Sequence, residues 1–275
     1  MCAAWPNPRD CGTEMNATND FQNVPVAILC GGRGILLNEQ QGRVNKALVE
    51  VQGKPMFAWV MLHYALYGAR EFVLATGLQG ERFAPALTAL GAKAGASVDT
   101  FTLDLAGHAC NIRLVATDAE APTGARLLAC KPYLNAPVFA LTYSDTLSDV
   151  DLGAELRFHN DQGLAATLLG TTYPVRFRVL GIRQGESRVR AFAPRPVIEA
   201  ASINGGYYLF TQKLWDAAYG LDSSVALENQ PLEKLAGAAQ LSAFDGAKSR
   251  WQHCDAERDL AALNDLAARL AAQAA

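Results

Sequence analysis

The chain has 275 residues, half of them apolar and 19% charged, with a net charge of −3. That length suits one large core that needs no disulfide or metal staples. The slightly acidic balance argues against nucleic-acid binding, which runs on excess Lys and Arg, and no apolar run approaches the roughly 18 residues of a membrane span.

Residues 1–23 carry Asn, Asp, Pro and Gly with little periodicity, and no basic stretch precedes an apolar core. They read as a flexible leader ahead of a single domain at 24–275, with a cytoplasmic location and no membrane partner. Six scattered cysteines without a C-x-x-C spacing read as reduced thiols. The apolar run 24–29 ends at Cys30-Gly31-Gly32-Arg33-Gly34, as a strand buried on both faces would. A strand-like segment follows at 46–51, then a Gly53-Lys54-Pro55 turn and a helix over 56–67 stopped by Gly68. Further strands are predicted at 71–76, 111–116, 137–142 and 165–171, with a helix at 152–162. This alternation predicts an α/β fold: a Rossmann-like, mostly parallel sheet flanked by helices. Residues 175–215, with Pro194, Pro196 and Gly205-Gly206, read as a small antiparallel β insertion laid on that sheet. Leu260, Leu263, Leu266 and Leu270 predict an amphipathic terminal helix, packed on the domain or, alternatively, on another copy.

The glycine turn is a candidate phosphate cradle, because glycine lets backbone N–H groups approach an anion. It is equally the pattern of a plain tight turn, and neither the G-x-G-x-x-G nor the Walker spacing is met. Lys46 is a compact cation suited to a triphosphate. Asp145 is predicted at the carboxyl edge of a strand, where ligands of open α/β sheets bind.

These pieces together resemble the sugar-1-phosphate nucleotidyltransferases. Residues 27–34, Lys46-Ala47-Leu48-Val49-Glu50-Val51 and Gly53-Lys54-Pro55 are similar to the family's A-G-G-x-G-T-R-L, P-K-P-M-V-E-I and G-K-P. Thr123-Gly124-Ala125-Arg126, Leu141-Thr142-Tyr143-Ser144-Asp145, Ile203-Asn204-Gly205-Gly206-Tyr207, Glu228-Asn229-Gln230-Pro231-Leu232 and Trp251-Gln252-His253-Cys254-Asp255 continue it in order. The nearest pattern is that of the glucose-1-phosphate cytidylyltransferases. The resemblance implies condensation of a nucleoside triphosphate, CTP above all, with a sugar 1-phosphate or similar phosphorylated metabolite, releasing pyrophosphate. It implies Lys46, Asp145 and Arg195 as catalytic residues, and Leu29, Gly31, Gly32, Arg33, Gly34, Thr123 and Arg126 around the nucleotide, the last two on a loop. It further implies Arg195, Asn204, Gly205 and Glu228 around the acceptor, a magnesium ion on Asp145 and Asp255, and a homo-oligomer. His253, a poor magnesium ligand, reads as structural.

The pattern also departs from the family. Ile35 and Leu36 stand where the motif has Thr-Arg, Val44-Asn45 replace the first K-P, Thr146 replaces the glycine after the aspartate, and Pro194 replaces a Glu. Arg33 and Arg43 flank the loop and could supply the missing charge. Two alternatives to the enzyme follow: a weakened homologue that binds nucleotide or sugar phosphate, and a glycosyltransferase with a strand-end aspartate.

Overall fold

The computed structural model describes residues 20–32, 34–36, 43–172, 179–181, 191–193 and 202–274. Nine strands form its main sheet: β1 (Val26–Leu29), β2 (Glu71–Thr76), β3 (Lys93–Ala94), β4 (Thr100–Leu105), β5 (His108–Ala116), β6 (Val138–Tyr143), β7 (Ala166–Thr171), β8 (Ile203–Thr211) and β9 (Leu241–Asp245). Their spatial order is β9-β7-β8-β6-β1-β2-β5-β4-β3. Pairing from strand to strand leaves only β4 and β8 running against the others, so the sheet is mostly parallel.

Both faces are apolar. Val26 and Ile28 point into one core, while Ala27 and Leu29 point into the other. The first face carries α1 (Met56–Leu66), α2 (Phe83–Ala89), α4 (Leu152–Gln162) and α6 (Leu260–Ala274). The second carries α3 (Thr123–Cys130) and α5 (Gln230–Gly237). Helix α1 is buried from Met56 to Ala65 because α6 closes over its outer side; a helix apolar all round needs such a double cover. The terminal leucines Leu263, Leu266 and Leu270 form that contact stripe.

Several expectations are corrected. Segment 46–51 is not a strand: Asn45 accepts the Ala47 amide and closes a short helical turn, Lys46–Leu48, the local competition a capping side chain offers a ladder. Only Glu50–Val51 pairs, with Lys54–Pro55. Thr123 and Arg126 sit on α3 and not on a loop, since Leu127 and Cys130 bury one side of an otherwise helix-favouring run. Of the expected insertion, Val179–Gly181 and Ala191–Ala193 do pair antiparallel, but β8 lies inside the main sheet between β6 and β7. Residues 20–23 belong to the packed body: Phe21 is fully buried, its ring 5.5 Å from that of Tyr64, and its amide donates to the Tyr67 carbonyl. Residues 1–19 lie outside the described residues. Cys30, Cys110, Cys130 and Cys254 are buried free thiols.

Candidate active site

From β1 the chain goes through α1 to β2 on one side of the sheet, and it later returns to β6 on the other. The carboxyl ends of β1 and β6 therefore flank a topological switch point, where open α/β sheets bind ligands. The glycine turn leaves β1 here. Asn45, 1% exposed, donates its side-chain amide to the carbonyls of Cys30 (2.7 Å) and Leu78 (2.6 Å). It thereby ties the turn to the segment after β2. Arg126, 3% exposed, reaches in from α3 to the Thr117 hydroxyl (2.5 Å), the Ala119 carbonyl (3.0 Å) and the Thr76 carbonyl (3.4 Å). Its guanidinium fills the space over Gly31, where an added methyl would collide with it. Gly34 has φ +73°, and a Cβ there would lie 2.5 Å from the Val44 carbonyl oxygen. These are close approaches that only glycine allows.

A cavity of about 290 Å³ opens beside the turn, lined by Leu29, Gly31, Gly32, Asn45, Lys46, Thr123, Arg126, Tyr143, Ser144, Asp145 and His253. A second, of about 250 Å³, is lined by Tyr143, Asp145, Thr146, Asn204, Gly205, Gly206, Trp251 and His253. The two share Tyr143, Asp145 and His253.

At that shared wall the charges converge. Lys46 Nζ lies 3.1 Å from Asp145 Oδ2 and 2.9 Å from Asp255 Oδ1. His253 bridges the same pair, Nε2 at 3.0 Å from Asp145 Oδ2 and Nδ1 at 3.0 Å from Asp255 Oδ1. Burial would raise the Asp145 pKa, but the hydrogen bond and charge of His253, then Lys46, hold it below the usual carboxylate range. Burial would lower the pKa of Lys46, yet the Asp145 charge and the hydrogen bonds to Asp255 and Asp145 leave it raised. The His253 imidazole follows the same logic: burial opposes its charge and the hydrogen bond to Asp145 more than restores it. The arrangement holds Asp145 ionised beside positive charge.

Carboxylate oxygens from two elements on one cationic nitrogen fit a hard cation, and magnesium takes one or two carboxylates with phosphate oxygens and water completing its shell. Among the described residues no group of three or more His, Cys, Asp or Glu forms a full metal cage, and such an ion does not require one.

Behind the second cavity runs a line of hydrogen bonds. Asn204 Nδ2 donates to the Tyr208 hydroxyl (2.5 Å), which lies 3.2 Å from that of Tyr143. Tyr143 and Thr123 (2.5 Å) both donate to Glu228.

The structure thus brings together Lys46, Asp145 and Asp255. It sets Leu29, Gly31, Gly32, Thr123 and Arg126 around the first cavity and Asn204 and Gly205 around the second. Gly34 shapes the turn but lines neither cavity, as does Glu228, which braces Thr123 and Tyr143 from behind. Arg33 and Arg195 lie outside the described residues. Sequence reasoning missed Asn45 and Tyr143 and gave His253 only a structural place. The strand there ends at His253, so no strand periodicity marked its pairing with Asp255.

No protein-family model matches the chain. It is 31% identical over 256 residues to the glucose-1-phosphate cytidylyltransferase of Salmonella typhimurium, covering 88% of this chain and 95% of that protein. It is 28% identical to a probable glucose-1-phosphate cytidylyltransferase of Bacillus subtilis, over 80% of this chain and 87% of that one. Among solved structures, HddC of Yersinia pseudotuberculosis complexed with GMP-PN superposes with a TM-score of 0.63 at 17% identity, over 88% of this chain and 98% of that one. The inositol-1-phosphate CTP transferase of T. maritima gives 0.60 at 14% identity, over 90% and 96%.

Proposed function

This chain belongs to the sugar-1-phosphate nucleotidyltransferases, and from that premise we propose that it condenses CTP with a sugar 1-phosphate in the cytoplasm and releases pyrophosphate. The carrying observation is the convergence of Lys46 and Asp255 on Asp145, which lines both cavities. A reaction joining two phosphorylated substrates needs its charge neutralised where they meet. The first cavity, beside the glycine turn and the N-terminus of α3, takes the nucleotide; the second takes the acceptor.

An acceptor phosphate oxygen attacks the α-phosphorus in line, the bond to the bridging oxygen of the β-phosphate breaks, and pyrophosphate carries the electron pair away. The nucleophile is already anionic, so no general base is needed, and catalysis is positioning plus charge stabilisation. Lys46 neutralises charge on the triphosphate. Asp145 and Asp255 would hold magnesium, which supplies further neutralisation of phosphate charge when bound. Asn204 offers its amide to acceptor hydroxyls, and Gly206, at φ +76°, lets the backbone come close.

The test is pyrophosphate release across CTP, UTP, dTTP and ATP with a panel of sugar phosphates, with and without magnesium. Turnover highest with CTP is expected; no release with any pair would overturn the proposal. The second reading, a weakened binding homologue, draws on Leu36 standing where the resembled motif has arginine. It predicts stabilisation by CTP without turnover, and a gain of activity in Leu36→Arg.

A further inference from the structure

We propose that Thr146 is a specificity-determining residue for the acceptor, its hydroxyl bonding a polar group near the acceptor's phosphate end. The inference rests on the reading of the second cavity as the acceptor site.

Every other polar side chain in that cavity's wall already has a partner within the protein, although Asn204 keeps a second N–H for the acceptor. Asp145 holds Lys46 and His253, and His253 spends both ring nitrogens on the two aspartates. Asn204 donates to Tyr208 and accepts the Gly206 amide at 3.0 Å. Tyr143 is committed to Glu228, and the Trp251 indole donates to the Gly205 carbonyl at 2.7 Å. Thr146 differs: it is 3% exposed, and its hydroxyl has no partner among the described residues. A buried hydroxyl without a hydrogen bond has lost its water and gained nothing in return, so a partner supplied by a ligand is worth more here than at the satisfied groups.

The position selects the ligand. Thr146 follows Asp145 and pairs across the strand with His253, so a group meeting it lies next to the reacting phosphate. Its Oγ1 is 3.6 Å from where a Cβ on Gly206 would stand, just under the floor that the Gly205-Gly206 turn provides. In this structure the hydroxyl is turned away from solvent, so the proposal requires a turn about Cα–Cβ to another staggered position when the acceptor binds. The resembled motif has glycine here, so this chain has filled space and added a hydroxyl; that of Ser144, on the other side of Asp145, is already bound to the Leu29 carbonyl at 3.0 Å. The acceptor class is a phosphorylated polyol or sugar with a hydroxyl next to its phosphate-bearing carbon.

Steady-state kinetics and calorimetry of Thr146→Val, Thr146→Ser and Thr146→Gly test this. Thr146→Val, which keeps the shape, should raise the acceptor KM about tenfold, the equivalent of ~1.4 kcal/mol, with kcat and nucleotide KM near wild type. Thr146→Ser should restore the acceptor KM, and Thr146→Gly should widen the range of acceptors used. An unchanged acceptor KM in Thr146→Val, in a wild type that turns over, overturns the assignment of Thr146 alone. A wild type that neither turns over nor binds any sugar phosphate overturns the reading of the site and this assignment with it.

Discussion

The two cavity walls that meet at Asp145, called the nucleotide wall and the acceptor wall after the proposed function, are built differently. The nucleotide wall is backbone fixed from behind: Asn45 and Arg126, both buried, donate to carbonyls of Cys30, Leu78, Thr76 and Ala119 and so lock three loops together. The acceptor wall is a set of side chains bonded to one another through Asn204, Tyr208, Tyr143 and Glu228, with Thr146 left over. A backbone cradle would serve what all triphosphates share; its ties are buried, and one of them, Asn45, is itself a departure from the resembled motif. A side-chain wall can be re-lettered one residue at a time. The departure at Thr146 lies on that second wall.

The contrast breaks first at its hinge. Asp145→Asn keeps the shape but removes the charge facing Lys46 and His253, and it should lower kcat by about 10²–10³-fold, the scale of losing one transition-state electrostatic group. Circular dichroism and melting should show the fold intact. Turnover near wild type would detach the aspartate from the chemistry.

Next comes the rigidity of the nucleotide wall. A methyl on Gly77 would lie 2.8 Å from both Cα and O of Gly31 and 2.5 Å from the Arg126 guanidinium. Gly77→Ala must therefore push the two loops apart, at a cost of about 1–3 kcal/mol. Nucleotide KM should rise more than acceptor KM, and Tm should fall. Equal effects on both substrates would mean the walls are not mechanically separate.

Between the walls, Tyr143→Phe leaves Glu228 and Tyr208 without their shared partner. Removing one member of a hydrogen bond to a charged group costs about 1.5–3 kcal/mol. Both KM values should shift, because Tyr143 lines both cavities. A change confined to one would place it on that wall alone.

Five strands of the sheet were legible as short apolar runs, β1 and β2 closed by Gly31 and Gly77, and the Asp145 position followed from the strand before it; β3, β4 and β9 were not read. Lys46 was legible as a cation but not as part of a turn, since Asn45's cap competes with a strand only once the chain is folded. Arg126 could not be read as a buried prop for Gly31, because nothing local marks a guanidinium whose partners lie at residues 76, 117 and 119. Likewise β8 enters the sheet between two strands distant in sequence, a placement no local pattern encodes. Long-range ties of this kind are what separate a residue list from a site.

The smallest effect concerns polar groups buried behind the acceptor wall, where Tyr207 follows Gly206. Burial pushes the Glu155 carboxyl from 4.5 up to about 8 and the His63 imidazole from 6.5 down to about 4. Glu155 Oε1 and His63 Nδ1 have no partner among the described residues. The raised Glu155 contributes stability that is full below 4.5 and lost as pH rises through 8; the lowered His63 contributes stability that is full above 6.5 and lost as pH falls through 4. Between about 4.5 and 6.5 the two slopes oppose each other. From about 6.5 upward the raised His253 slopes the same way as Glu155, and Glu155's own share of the fall up to pH 8 should be about 1.4 kcal/mol per pH unit. Urea unfolding of the wild type and Glu155→Gln across that window measures it: the variant should lose that share of the slope while keeping the shape of the cluster. An identical slope in both would show that Glu155 is already ionised at neutral pH, with solvent or an ion reaching behind the acceptor wall, and that this wall is the less closed of the two.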